Sequence, residues 1–464
     1  MSKLISKILE YSNEKEMLPE SGLVLICVSG GADSMCLLEV MRHISYECGF
    51  SIAVAHYNHK LRGEESERDE TFVLDICEEH GIPFYSGRGD VANYAKKHGL
   101  SIEEAARDMR YGFFFDTAEK AGAVRIATAH TMDDNAETMI INLTRGAGVN
   151  GMSGIPPVRD IVIRPLLNTS GAEVAAFINE RDIPYVEDST NCLDIYTRNK
   201  VRHSIIPLIK DINPRFIEAA GTAAELFRAD EEFIADIADL FIIDRCVGLT
   251  ADASDIAVLP FSVSSRVIRK LCGGNLSFNH VKDVLALCAG KNPSASLSLP
   301  AMTVYREYER VVFDAKPAEK SIEFAPVYPT AGNSFIILGL GLKITCKSVI
   351  YDDNIDKPGS NGSMHRSVNK TFTSFIFKSI DICGKISVRS RCEGDFIKLK
   401  GQSGTKTLKK LFIEKRIPTR KRNLVPVISD DEGVLGIYGI GTGDRAIPKS
   451  GDSATVIIFE ETGH

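Results

Sequence analysis

The stretch VLICVSGGADSMCLLEVM, Val24 to Met41, sets six small or polar residues between two apolar runs. Leu23 to Val28 is apolar at every position, as suits a strand covered on both faces, and Met35 to Met41 carries the apolar face of a helix. Ser29-Gly30-Gly31-Ala32-Asp33-Ser34 is therefore a strand-to-helix turn. Its glycines let the backbone turn tightly and leave amide N–H groups uncovered. The helix N-terminus adds partial positive charge, so the turn favours an anion, phosphate above all. The hydroxyls of Ser29 and Ser34 can add hydrogen bonds, and Asp33 can hold a divalent metal that bridges phosphates. The string is not GxxxxGK[ST] and has no lysine of that kind. Read as composition alone, the same residues are ordinary turn formers.

From Leu23 to about Ile163 strands and helices alternate. Apolar strands at Leu23–Val28, Ser51–His56 and Val124–Ala129 are separated by helical stretches such as Ser66–His80 and Ser101–Ala121. This is the rhythm of a parallel sheet wound on both faces, whose ligand lies beyond the carboxyl ends of the strands. Three segments then converge: Ser29–Ser34, His56–Arg62 and His130–Glu137. A long helical run follows over Asn213–Arg245. After it come two helices, SSRVIRKLC and HVKDVLALC, and a hairpin of ASLSLP with TVYREYERVVF. Ala318 to Lys370 is weakly patterned and reads as loops and irregular strands, and Thr371 to Glu461 as a small α+β unit.

A chain of 464 residues, 44% hydrophobic and 25% charged, has the make-up of a multidomain globular protein. No run of eighteen apolar residues suggests a membrane span, and the opening MSKLISKILEYSNEKEM reads as an amphipathic helix interrupted by charge, not as a signal peptide. The eleven cysteines are scattered without CxxC spacing, the usage of a reducing cytoplasm with neither disulfide framework nor zinc site. Net charge is −7, which argues against an indiscriminate nucleic-acid binder. Between Lys398 and Arg422, however, KLKGQSGTKTLKKLFIEKRIPTRKR has Glu414 as its only acid. Such a basic segment is either a local polyanion site or a solvated face, and Leu408, Leu411 and Phe412 give it an apolar side as well.

The third strand runs into IATAHTMDDNAETMIINLTRGAG. On a helix, His130, Asp133, Asp134 and Glu137 fall at i, i+3, i+4 and i+7 and share one face. Beside a phosphate loop that cluster suits a metal or a cationic substrate, although an acidic cap on the helix dipole would also use it. Further on, VEDSTNCLDIYTRNKVRHSIIPLI combines a polar turn, Asp188-Ser189-Thr190-Asn191, with Arg198, Asn199, Lys200 and Arg202. These basic side chains can neutralise a nucleotide or RNA phosphate, or simply open a surface helix.

SGGADS resembles the signature of the PP-loop ATP pyrophosphatases. With AHYNHKLRGEESERDE, EEAARDMRYGFF, ATAHTMDDNAETMIINLTRGAGVNGMSGI, EDSTNCLDIYTRNKVRHSIIP and GDFIKLKG…KTLKKLFIEKRIPTRKRNLVPVI, the chain resembles the tRNA(Ile)-lysidine synthase family in its long, three-domain form. Lys60 and Asn135 depart from the residues expected there, Gly and Gln.

The resemblance implies an α/β fold: a doubly wound, Rossmann-like PP-loop domain (1–213), a mostly helical middle domain (214–320), a linker or irregular segment (321–370) and a small α+β C-terminal domain (371–464). It implies ATP and Mg2+ as cofactors, and as partners free L-lysine and an isoleucine tRNA, tRNA(Ile), with a CAU anticodon. No membrane is involved, the location is the cytoplasm, and a homodimer is compatible with it. ATP would adenylate the C2 oxygen of the wobble cytidine, and the lysine ε-amine would then displace AMP.

Carried onto this chain, the catalytic residues would be Asp33, Asp133, Glu137 and Arg198. The nucleotide would be held by Ser29, Gly30, Gly31, Ala32, Asp33, Ser34, His56, Arg110 and His130, and the metal by Asp33. Arg202, Lys398, Lys400, Lys409, Lys410, Arg416 and Arg420 would bind tRNA. The base for the lysine amine stays open between Asp133, Glu137 and a water.

Overall fold

The computed structural model describes residues 2–59, 64–186, 197–274, 276–314, 324–352 and 373–462. The chain forms two compact units, Met1–Phe233 and Ile234–His464. Among the described residues no helix is long and apolar enough to cross a membrane.

In the first unit the strands are β1 (Leu23–Cys27), β2 (Ser51–Asn58), β3 (Phe84–Arg88), β4 (Ala123–Ala127), β5 (Val158–Arg159) and β6 (Val162–Ile163). The helices are α1 (Lys3–Glu14), α2 (Ala32–Cys48), α3 (Glu64–His80), α4 (Val91–His98), α5 (Ile102–Ala121), α6 (Met132–Thr144), α7 (Val149–Met152), α8 (Gly171–Glu180), α9 (Thr197–Lys200), α10 (Ile206–Ile212) and α11 (Phe216–Arg245), which ends in the second unit. The sheet order is β3-β2-β1-β4-β6-β5, parallel except for the β5–β6 edge.

Alternation along β1 explains its unbroken apolar sequence. Val24 and Ile26 pack with Leu37, Met41, Val174 and Phe177, while Leu25 and Cys27 pack with Tyr111, Phe114 and Ala118 of α5. The order reverses between β1 and β4, which opens a crevice at their carboxyl ends. Short-range signals set the helix ends. Ser101 and Glu104 form a capping box at the start of α5, and Gly49 (φ 80°) and Gly122 (φ 68°) take the left-handed conformation that ends α2 and α5.

Three strands of this unit went unread, and one expectation needs correction. The edge strand FYSGR (β3) and the short β5 and β6 did not stand out in sequence, because Ser, Gly and brevity hide a strand pattern. His130 does not lie on α6: Thr131 is the N-cap, closed by a capping box with Asp134, so the helix begins two residues later.

The second unit opens with a five-stranded antiparallel sheet, ordered Cys246–Val247, Thr250–Asp252, Arg310–Asp314, Thr303–Glu307, Ser296–Ser298. Helices Ala253–Val258, Phe261–Leu271 and Phe278–Ala289 share its core of Val267, Ile268, Val284, Val304 and Phe313. Two four-stranded antiparallel sheets follow. One orders Ser334–Ile337, Leu342–Ile350, Ser453–Glu461 and Ser374–Lys378; the other Ser387–Arg389, Val427–Asp430, Gly433–Ile437 and Gly441–Thr442. Phe375, Phe377, Val388, Ile428, Leu435 and Ile457 form their common core.

The segment 321–370, expected to be a linker or an irregular segment of loops and strands, supplies two regular strands over its described part. Leu342–Ile350 pairs along its whole length with Ser453–Glu461, a partner more than a hundred residues away that local pattern cannot reveal.

Candidate active site

A cavity of about 950 Å³ lies at the carboxyl end of the first unit's sheet. It is lined from the turn Cys27–Ser34, from His56, from the α5 face of Ile102, Ala106, Arg110, Tyr111 and Phe114, from Thr128–His130 and Asp134, and from Arg198 and Arg202. The three segments expected to converge do so over their described parts. Lys60 and the turn Asp188–Asn191 lie outside the described residues.

Gly30, at φ +96°, turns the chain out of β1 in a conformation that side chains resist. The backbone N–H groups of Ser29 and Gly30 both point to Ser34 Oγ (3.2 and 3.1 Å), which donates to Gly31 O (2.8 Å). Gly31 is the N-cap of α2, and no side chain caps that helix end. The turn is thus held by Ser34, and the uncapped N-terminus of α2 that it presents is suited to cradle an anion. Asp33 opens into it from the first turn of α2. Burial and the nearby carboxylates of Asp134, Asp133 and Glu137 push its carboxyl up to about 6, against the pull of Arg202.

The acidic residues of α6 divide three ways. Glu137 is 1% exposed, and its oxygens accept from Arg198 Nε (2.7 Å) and Arg202 Nε (2.5 Å). Asp134 accepts from Thr131 N (2.9 Å), lies 3.2 Å from an Arg202 guanidinium nitrogen, and lines the cavity. Asp133 turns instead to α8, accepting from Gly171 N at 2.7 Å, with Lys210 3.9 Å away. The expected shared acidic face is therefore corrected. The first amide of α8 takes one oxygen of Asp133, and two guanidinium groups occupy Glu137.

The remaining pocket groups are neutral or cationic. His56 Nδ1–H donates to Val28 O (2.9 Å), and burial lowers its pKa. His130 Nδ1 lies 3.0 Å from the Thr128 hydroxyl. Burial, with Arg164, Arg198 and Arg110 opposing Asp134, pushes it down to about 3. Both imidazoles are uncharged at neutral pH. Arg110, half-buried, makes no ion pair among the described residues, and its charge is disfavoured by burial. Cys27 is a protonated thiol, since burial pushes its pKa far up.

Asn135 has a structural role. Its Oδ1 accepts from Ile155 N (2.7 Å), and a Cβ on Gly154 (φ +69°) would stand 2.0 Å from that same oxygen. Sequence reasoning passed over Tyr111 and Arg164, an aromatic and a cation inside apolar runs with no motif to mark them. The capping box Thr131-x-x-Asp134 was readable and would have separated Asp134 from Asp133.

Of the expected tRNA-binding residues, Arg202 belongs to this pocket, while the others lie in the second unit. Lys400, Lys409 and Lys410 are exposed and without an ion pair among the described residues. Lys398 pairs with Asp444 at 2.7 Å, and Arg416, exposed, lies 4.0 Å from Glu309. Arg420 is engaged within the unit: it pairs with Glu307 and with Asp314 (2.7 Å) and lies 4.6 Å over the Tyr305 ring.

A glycine-turned anion cradle at the switch point of a parallel sheet, with a carboxylate at its lip, defines a PP-loop nucleotide-binding protein. The PP-loop domain family model matches residues 2–209, and that of the TilS substrate C-terminal domain matches residues 386–458. The tRNA(Ile)-lysidine synthase of Geobacillus kaustophilus is 32% identical over 94% of this chain and 95% of its own length. That of Clostridioides difficile is 30% identical over 93% and 94%, and that of Caldanaerobacter subterraneus 28% over 99% and 98%. The chain belongs to the tRNA(Ile)-lysidine synthase family, ATP-dependent ligases that form a carbon–nitrogen bond.

Proposed function

We propose that in the cytoplasm this chain converts the wobble cytidine of an isoleucine tRNA with a CAU anticodon to lysidine, with ATP and free L-lysine as co-substrates. The C2 oxygen of the cytidine attacks the α-phosphorus of ATP and pyrophosphate leaves. The lysine ε-amine then attacks C2, loses a proton, and AMP departs with the former carbonyl oxygen.

The observation that carries this reading is the meeting of the Ser29–Ser34 cradle with Arg110, Arg198 and Arg202 around one cavity. The amides at the start of α2 suit the departing pyrophosphate. The guanidinium groups offset charge that builds on the phosphates. Arg198 and Arg202 are held ready by Glu137, which acts through them as a positioning residue. Asp134, the α6 carboxylate that lines the cavity, is suited to receive the lysine ammonium. The uncharged rings of His56 and His130 can border the nucleotide without adding charge.

Asp33 fits a magnesium ion, because a cation would offset the burial and the crowding of carboxylates that raise its pKa. Among the described residues no group of three or more His, Cys, Asp or Glu side chains could hold a metal, so phosphate oxygens and water would complete its shell. When bound, the ion would neutralise charge on the β- and γ-phosphates.

Sulfur transfer through Cys27 is disfavoured by its protonated, buried thiol. Exposed Lys400, Lys409 and Lys410 would hold the tRNA. None of these roles requires a second copy of the chain, so a monomer and the expected homodimer would serve alike.

The test is AMP release from ATP by the purified protein, with and without an unmodified transcript of the CAU-anticodon tRNA. Release that depends on the transcript supports the reading; release indifferent to RNA overturns it.

A further inference from the structure

Arg164 directly follows β6 and is 2% exposed. Its backbone N donates to Pro157 O (3.0 Å) and its Nη1 to Pro156 O (2.6 Å), which anchors one end of the guanidinium. Among the described residues no carboxylate pairs with it, and Nε has no hydrogen-bond partner. A buried cation without a counter-ion is a heavy burden on a fold and is rarely kept by packing alone.

After burial, the group that acts most on this charge is Tyr111 of α5. Tyr111 is 9% exposed, and its hydroxyl is likewise buried and unpaired. Tyr111 packs in one cluster with Val162, two residues before Arg164, and its hydroxyl closes no hydrogen bond with the guanidinium. Tyr111 also lines the cavity next to Arg110, while Arg164 does not line it. A phenol can accept one hydrogen bond and donate another. Accepting from the Arg164 guanidinium would leave the Tyr111 proton free to point into the cavity.

We propose that Arg164 is a positioning residue that acts through Tyr111: when nucleotide fills the cavity, Arg164 Nε–H donates to the Tyr111 oxygen, and the Tyr111 hydroxyl donates to a phosphate oxygen of the nucleotide beside Arg110. Phosphate is the acceptor class because the neighbouring cavity group, the Arg110 guanidinium, is cationic and lacks an acidic partner. This rests on the nucleotide chemistry proposed above.

The test measures tRNA-dependent AMP release by the full chain in three variants, Tyr111→Phe, Arg164→Met and the double variant, together with Arg164→Lys. Tyr111→Phe is expected to lower kcat/KM for ATP by tenfold or more, as for loss of a donor to a charged oxygen, with KM for tRNA unchanged. Arg164→Met should match it, the double variant should be no worse than either single one, and Arg164→Lys should recover part of the loss. If Arg164→Met does not fold, Tyr111→Phe alone decides. Wild-type kcat/KM for ATP in Tyr111→Phe, or a change confined to KM for tRNA, would overturn the proposal. If the wild-type chain itself releases no AMP, it is the reading of the function that fails.

Discussion

Arg202 Nε lies 2.5 Å from Oε1 of Glu137, a carboxylate that the fold leaves 1% exposed. The other oxygen accepts from Arg198, so one buried acid aligns two cations at the rim of the phosphate cavity. Removing it should leave both guanidinium groups without their anchor. Glu137→Gln is expected to destabilise the first unit by about 3 kcal/mol, the order found when one partner of a buried ion pair is lost. AMP release should fall by about a hundredfold. Thermal unfolding and steady-state AMP formation measure the two effects, and wild-type values in both would remove Glu137 from this role.

Asp133 should behave differently. Its carboxylate accepts the Gly171 N–H at the start of α8. Asp133→Ala is expected to lower stability by about 1 kcal/mol, as for a lost helix cap, and to change AMP release by less than threefold. Loss of AMP formation in a folded variant would restore Asp133 to the chemistry.

The Asp33 carboxyl, raised to about 6, sets two pH dependences. Between its unfolded value of about 3.9 and 6 the native state binds the proton better than the unfolded state, so this group's contribution to stability falls as pH rises through that window. Asp33→Asn should therefore raise the melting temperature of the nucleotide-free protein at pH 8, and the gain should shrink towards pH 4. Protons also compete with magnesium at this carboxylate. The magnesium concentration for half-maximal AMP release should climb about tenfold per pH unit below 6, since each unit lowers the ionised fraction by that factor. A magnesium requirement flat from pH 8 to 5 would contradict the assignment.

The basic segment divides by the partners its side chains have. Lys409 and Lys410 are exposed and unpaired among the described residues, so their joint change to Ala should weaken tRNA binding. It should also make the salt slope shallower by about 0.9 for each phosphate that is no longer neutralised. Arg420→Ala should instead lower the melting temperature, because Arg420 ties Glu307 and Asp314 to the Thr419–Leu424 turn. Wild-type tRNA affinity and salt slope in the Lys409/Lys410 double variant would mark the segment as a solvated face.

What the sequence made legible was local. The unbroken apolar β1, the glycine turn at Gly30 and the helix read over Ser101–Ala121 are each written in adjacent residues, and each lies where its pattern placed it. What escaped depends on distant partners. Nothing near Asp133 shows that Gly171 will claim it, and nothing near Leu342 shows that Ser453–Glu461 will pair with it. Arg164 and Tyr111 gain their meaning only when β6 and α5 pack together. Helical spacing grouped the acids of α6 correctly on one element, but the side chains then follow the nearest amide or guanidinium, which spacing does not encode.

The most direct measurement is the mass of the wobble nucleoside, after the purified chain has acted on a CAU-anticodon isoleucine tRNA transcript with ATP, magnesium and lysine. The account predicts that this cytidine gains the mass of one lysine less one water, and that the gain disappears with Asp33→Ala. An unchanged cytidine despite AMP release, or a sulfur in place of oxygen, would contradict it.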